Sequence, residues 1–281
     1  MPRCFWSVVK LDLRPVVMAF GGTDPTGGAG VQADITTLAS LGCHPVCVVT
    51  AVTAQDTLGV KHFLTVATEH VIVQARAILE DMPVAAIKTG MLANTNIVSA
   101  VASIIEDYPD IPLIVDPIQS SGRGDSLADE PLEEALRLML LPHALLTTPN
   151  SEEVRRLASD ADSLDACAQE VMSSGCRYVL VTGTHEPTPQ VIHRLYGERR
   201  LLKQFEFERL PQTYHGSGCT LASACAATLA HGLDPVDAVH QGLGYTWNTL
   251  RHAYRPGMGQ HIPDRLYWGH MADTFDAPDD G

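Results

Sequence analysis

The sequence predicts an α/β fold in which a mostly parallel sheet is covered by helices on both faces. Three observations predict it. Short apolar runs alternate with helical stretches along nearly the whole chain. The strand candidates are apolar throughout rather than alternating, as strands buried on both faces are. Glycine and polar residues gather just after the strands, where ligands sit in sheets of this kind.

The elements follow in order. Residues 16–20 form a strand stopped by Gly21-Gly22, and a glycine-rich loop spans 22–30. Residues 31–41 read as a helix with Val31, Ile35, Leu38 and Leu41 on one face, ended by Gly42. A β-branched strand at 45–52 leads to a short strand at 60–66, expected in a flap. A helix at 69–80 turns Val71, Ala75, Ile78 and Leu79 inward. The strand at 85–89 ends at Gly90, the helix at 94–107 is capped by Asn94, and the strand at 113–116 stops at Pro117. A helix at 130–140, a strand at 145–148, helices at 152–158 and 164–174 and a strand at 178–182 come next. Residues 190–196 and 201–207 pair as a hairpin around Gly197-Glu198. An alanine-rich helix follows Gly216-Ser217-Gly218, and Asp234-Pro235 opens a last helix over 236–255.

Composition narrows the function. The chain has 281 residues and a formal net charge of −14, which argues against a general binder of nucleic acid or of acidic membranes. No apolar run reaches the about 18–20 residues that span a bilayer, and the N-terminus carries no signal-peptide pattern. The seven cysteines lack framework spacing, so reduced thiols in a cytoplasm are expected. The expected layout is an extension at 1–15, one domain at 16–268 and an acidic, disordered tail at 269–281.

Several short motifs carry chemistry. Gly216, Ser217 and Gly218 open a helix, leaving free backbone N–H groups in a favourable dipole, which is an anion site. Cys219 falls in the same first turn, where that field is expected to lower a thiol pKa. The other reading is a buried alanine-rich core helix with a glycine-tolerant entry. The 22–30 loop is neither a Walker A loop nor a dinucleotide fingerprint, so it either lets backbone approach a ligand or is a plain tight connection. Asp116 and Asn150-Ser151-Glu152-Glu153 lie near one edge and could hold Mg²⁺ at phosphates, Glu153 being equally readable as a first-turn acid. Gln55 follows a strand and offers a side-by-side donor and acceptor that match an aminopyrimidine edge, or it is a backbone-bonded turn residue.

Together these residues resemble a known family. The run from Ala19 through Gly22-Thr-Asp-Pro-Thr-Gly-Gly-Ala-Gly30 to Asp34 carries the resemblance, with Thr-Ala-Gln55-Asp-Thr, Lys88-Thr-Gly-Met91-Leu and Val-Asp116-Pro. Thr148-Pro-Asn150-Ser-Glu-Glu153 and His215-Gly-Ser-Gly-Cys219-Thr complete it. The combination is similar to the hydroxymethylpyrimidine/phosphomethylpyrimidine kinases of thiamine biosynthesis, members of the ribokinase-like superfamily. The resemblance implies a three-layer ribokinase-like α/β/α fold with a small flap, and a cytoplasmic, usually dimeric enzyme. It implies that ATP with Mg²⁺ phosphorylates 4-amino-5-hydroxymethyl-2-methylpyrimidine and then its monophosphate.

By matching position, Gly22, Ala29, Asp34, Gln55 and Met91 would line the pyrimidine. Asp116 and Glu153 would manage Mg²⁺, and Lys88, Asn150, Thr182 and Arg123 would face nucleotide and phosphates. Gly216, Ser217 and Gly218 would form the anion hole, and Cys219 would take or orient the proton of the attacking hydroxyl. Three positions depart from the family pattern. Thr182 stands where a lysine is frequent, the segment after Pro117 is Ile-Gln-Ser-Ser-Gly-Arg123-Gly with Arg123 as the candidate replacement for a lysine, and Ser217 stands where threonine is usual. A pyridoxal kinase of the same superfamily and a non-catalytic pyrimidine-binding protein on this fold are the alternatives.

Overall fold

A computed structural model describes residues 14–118 and 130–270. Among the described residues nine strands form one mixed sheet in the order β3-β2-β1-β4-β5-β6-β7-β8-β9. They are β1 (Val16–Gly22), β2 (His44–Asp56), β3 (Gly59–Thr65), β4 (Val84–Thr89), β5 (Leu113–Val115), β6 (Ala144–Thr147), β7 (Tyr178–Val181), β8 (Gln190–Gly197) and β9 (Arg200–Glu208). The six strands from β2 through β7 are parallel, while β3 and the β8–β9 hairpin run antiparallel at the two edges.

Helices cover both faces, which is why the strands read as unbroken apolar runs. Met18 and Phe20 point to one core, shared with α2 (Thr68–Leu79), α3 (Thr95–Asp107), α4 (Glu130–Ala135), α5 (Ser151–Leu157) and α6 (Leu164–Ser173). Val17, Ala86, Ile114, Leu146 and Leu180 point to the other, under α1 (Gly30–Ser40), α7 (Ser217–Ala230) and α8 (Pro235–Arg251). A short α9 (Tyr267–His270) ends the described chain. No helix among the described residues is long and apolar enough to cross a membrane.

β1 lies between β2 and β4, so the chain leaves β1 in one direction across the sheet and later returns on its other side. Such a switch point opens a crevice at the carboxyl ends of the strands. The 22–30 loop leaves β1 there, and Lys88, Asp116 and Thr148 sit at the ends of β4, β5 and β6.

Four expectations are revised. β2 does not stop at Val52: it outruns β1 and pairs with β3 as far as Asp56, so Gln55 lies inside a strand of the flap. Ile35 is 41% exposed, and α1 buries Val31, Ala33, Asp34, Thr37 and Leu38 instead, because the wall it faces is polar as well as apolar. The helix expected over 130–140 is α4 for one and a half turns, then a π-helical turn at Leu136–Leu140, where the ladder adjusts before Pro142. The last long helix ends at Arg251 rather than at 255.

Candidate active site

The glycine loop is built around one carboxylate. Asp24 is fully buried, and its Oδ1 accepts from Thr26 N and Thr26 Oγ1, both at 2.8 Å. Its Oδ2 accepts from Ala29 N at 2.7 Å and meets His215 Nε2 at 2.8 Å. Burial works against ionisation of Asp24, but His215 and the Thr26 donors outweigh it and hold the carboxyl below its ordinary range. One side chain thus folds the loop and ties it to the segment entering α7.

Glycine is required where loop and helix meet. Gly216 has φ +83°, and a Cβ there would lie 1.9 Å from Gly28 O. A Cβ at Gly28 would lie 2.4 Å from His215 Cδ2, and one at Gly30 (φ +59°) 2.3 Å from Gly22 O. The loop therefore lies directly on the start of α7. The first N–H groups of that helix have no intrahelical acceptor, and Gly218 is exposed there.

Beneath this junction lies a buried charge cluster. Asp34 Oδ1 accepts from Lys88 Nζ at 2.9 Å and from Ser223 Oγ at 2.7 Å, and Lys88 Nζ is 3.8 Å from Asp116 Oδ2. Burial opposes the charge on Lys88, but Asp34, Cys219 and Asp116 keep its pKa above the ordinary value. Burial raises the Asp116 carboxyl to about 6, with Asp34 adding to the shift and Lys88 opposing it. Asp34 and Lys88 are buried, and their charges act on Asp116 and Cys219 beside them.

Cys219 is buried at the start of α7, close enough to Lys88, Asp116 and Asp34 for their charges to act on its thiol. The expected lowering of its pKa is not what the structure gives. Burial pushes the thiol up to about 12, and Asp116 and Asp34 reinforce the shift against Lys88. The helix field is present, but desolvation of a thiolate at a buried position exceeds it.

On the phosphate side, Asn150 Oδ1 accepts from Glu152 N and Glu153 N, and Glu153 Oε2 accepts from Asn150 N at 2.9 Å. This is a capping box, so the first-turn reading of Glu153 holds in the structure. Thr182 extends β7 by its backbone: its N–H donates to Pro149 O and its carbonyl accepts from Ser151 N. Arg123 lies outside the described residues. Among the described residues, Asp116 Oδ2, Thr89 Oγ1, Thr148 Oγ1 and Ser151 Oγ are buried without a hydrogen-bond partner. Thr89, Asp116 and Thr148 stand at the ends of β4, β5 and β6, and Ser151 opens α5. Buried polar atoms rarely stay unpaired, so these oxygens suit a polyanion with its cation and water.

On the other side Met91 borders Gly22, where a Cβ would lie 3.2 Å from Met91 Sδ. Met91 is positioned by Thr50 Oγ1, which donates to its carbonyl at 2.5 Å. The flap stands beyond them. Its tip is held by the C-terminal segment: Gly259 N donates to Thr57 Oγ1 at 3.0 Å and Gln260 N to Thr57 O at 3.2 Å.

Comparison with known proteins decides what this arrangement belongs to. The sequence profile of a family described as phosphomethylpyrimidine kinase matches residues 24–264. The chain belongs to that family. It is 42% identical over 251 residues to the hydroxymethylpyrimidine/phosphomethylpyrimidine kinase of Mycobacterium tuberculosis, covering 87% of this chain and 91% of that one. A crystal structure of phosphomethylpyrimidine kinase from Clostridium difficile superposes with a TM-score of 0.73 at 29% identity, covering 84% and 99% of the two chains. A pyridoxal kinase from Staphylococcus aureus with ADP gives 0.84 at 24% identity, over 92% and 96%, and shares the fold.

As a phosphomethylpyrimidine kinase family member the chain is a phosphotransferase, and its site contains residues that sequence reasoning passed over. Asp24 lies within the motifs without a role, the Asp-Pro-Thr turn being its readable signal, and His215, readable from sequence as a base for Cys219, pairs with Asp24 instead. Ser223 and Arg265 had no local signal, since their contacts lie 189 and 237–238 residues away.

Proposed function

We propose that this chain uses ATP to phosphorylate the hydroxymethyl group of 4-amino-5-hydroxymethyl-2-methylpyrimidine, and then phosphorylates the monophosphate to the diphosphate for thiamine diphosphate synthesis. The observation that carries the reading is the glycine loop lying on the start of α7 with Cys219 and Asp116 at the junction, in a chain of this family.

Gly22, Ala29 and Met91 form the floor of the pyrimidine pocket, and Gln55 on the flap addresses the aminopyrimidine edge with its amide. Asn150 and Thr182 border the nucleotide phosphates. The N–H groups of Ser217, Gly218 and Cys219 receive the transferred phosphoryl group, where the helix terminus stabilises its charge. In the first transfer the hydroxyl oxygen bonds to the γ-phosphorus as the bond to the ADP oxygen breaks. The hydroxyl proton passes to Cys219 Sγ while the thiol proton moves toward Asp116. The second transfer attacks with an ionised phosphate oxygen and has no such proton to move.

The donor set fits magnesium: Asp116 Oδ2 is a buried hard oxygen with an ion pair to Lys88 but no hydrogen-bond donor, and Glu153 opens α5 after the neighbouring strand. Asp116 and Glu153 are the residues that would hold it, and magnesium when bound neutralises charge on the phosphates. A homodimer and a cytoplasmic location belong to the same reading.

The competing substrate is pyridoxal, whose ring has similar size and polarity. Head-to-head kcat/KM measurements on the two alcohols test the choice. The pyrimidine is expected to exceed pyridoxal by about tenfold or more, the scale of one well-placed hydrogen bond to the ring edge. Equal or inverted values overturn the assignment.

A further inference from the structure

Arg265 lies in the segment after α8, outside every motif assigned above. It is 4% exposed, and among the described residues it pairs with no carboxylate. Its Nε donates to Thr220 Oγ1 at 3.0 Å, one terminal nitrogen to Gly27 O at 3.2 Å and the other to Gly28 O at 2.5 Å. Thr220 Oγ1 itself donates to Gly216 O at 2.8 Å. The residue's own carbonyl accepts from Ser40 Oγ at 2.7 Å and Tyr245 Oη at 2.8 Å, so its backbone is fixed to α1 and α8.

A buried cation held only by neutral acceptors is a costly way to stabilise a fold. The planar fork is what the geometry uses: one guanidinium reaches three acceptors on two elements, which an ammonium cannot do with the same directionality. Those elements are the glycine loop and the first turn of α7, the two walls that Gly216 and Gly28 bring into contact.

We propose that Arg265 is a positioning residue that clamps the Gly27-Gly28 backbone to the first turn of α7 and so sets the spacing between the acceptor pocket and the anion hole. The inference rests on the kinase reading above. Arg265 acts through the loop and touches neither substrate.

The test compares the wild-type chain with Arg265→Met, Arg265→Ala and Thr220→Val. Arg265→Met is expected to lower kcat for the pyrimidine by about 10²-fold, the cost of a small misplacement, with KM for pyrimidine and ATP within about threefold. Added guanidinium ion restores part of the rate to Arg265→Ala. Hydrogen exchange of the peptide covering 22–30 rises about tenfold, with the α3 peptide unchanged. Unchanged kcat and loop exchange, or a loss carried by KM without guanidinium rescue, overturns the proposal. If Arg265→Met loosens the α3 peptide too, Thr220→Val decides, since it removes the Nε acceptor and a bond within α7 but leaves both contacts of the guanidinium to the loop carbonyls. Faster loop exchange there supports the clamp, and unchanged exchange overturns it. Wild-type chain that turns over no pyrimidine defeats the kinase reading, while the exchange result still decides the clamp.

Discussion

Two influences meet at the Cys219 thiol. The start of α7 favours negative charge, and enclosure disfavours it; with the thiol pushed up to about 12, enclosure prevails. In the proposed reaction the residue relays a proton rather than standing as a thiolate. Cys219→Ala is expected to slow phosphorylation of the alcohol by about 10²–10⁴-fold and that of the monophosphate by far less. Equal losses in the two steps, read from initial rates, would remove the relay. Asp116 makes a pH prediction. Its carboxyl titrates near 6 when folded and near 3.8 when not, so folding takes up a proton between those values. The stability this gives is complete below 3.8 and disappears as pH rises through about 6. Asp116→Asn cannot ionise, so without magnesium it should melt above wild type at about pH 8 and lose that advantage by about pH 4. A gap in melting temperature that does not change with pH contradicts the buried-charge account.

At the scale of elements, the glycines of α7 separate two effects. Gly216 at its start and Gly232 at its end both have positive φ, +83° and +86°, but only Gly216 lies against other backbone. Gly232→Ala should cost about 1–2 kcal/mol for the left-handed backbone. Gly216→Ala adds displacement of the glycine loop, so it should cost clearly more in urea unfolding and abolish most activity. Equal losses would mean that the loop does not press on the helix.

The elements also show what a sequence can carry. The strands β1, β4, β5, β6 and β7 were legible because burial on both faces removes polar residues from them. Asn94 and Asp234 were legible as caps because capping is local. The extension of β2 into the flap was not, because Val52 and Leu64 are a cross-strand pair that faces outward, Leu64 at 67% exposure. Ile35 misled for the matching reason: α1 faces a charged interior, and Asp34 takes the inward position. The candidate site was legible where motifs are contiguous, at the 22–30 loop and at 215–219. It was not legible where the partner comes from across the chain, as with Asp34 and Ser223 or Arg265 and Gly28.

At the scale of the molecule, strand order does the assembling. Because β1 separates β2 from β4, the glycine loop, the flap, Lys88, Asp116 and the Asn150 cap all arrive at one edge of one sheet. α7 crosses beneath that edge and brings its N-terminus to the same point. The net charge of −14 gives no general attraction for a polyanion, so the proposed function needs these local devices to hold phosphates. The central claim is that one site performs both transfers with the same N-terminus of α7. The most direct measurement follows the products of purified enzyme supplied with the pyrimidine alcohol, ATP and magnesium, and separately with the monophosphate. The account predicts that the alcohol is converted to the monophosphate and then to the diphosphate, and that Cys219→Ala blocks the first conversion while the second continues. Turnover of neither substrate, or a variant that stops only the second conversion, would contradict it.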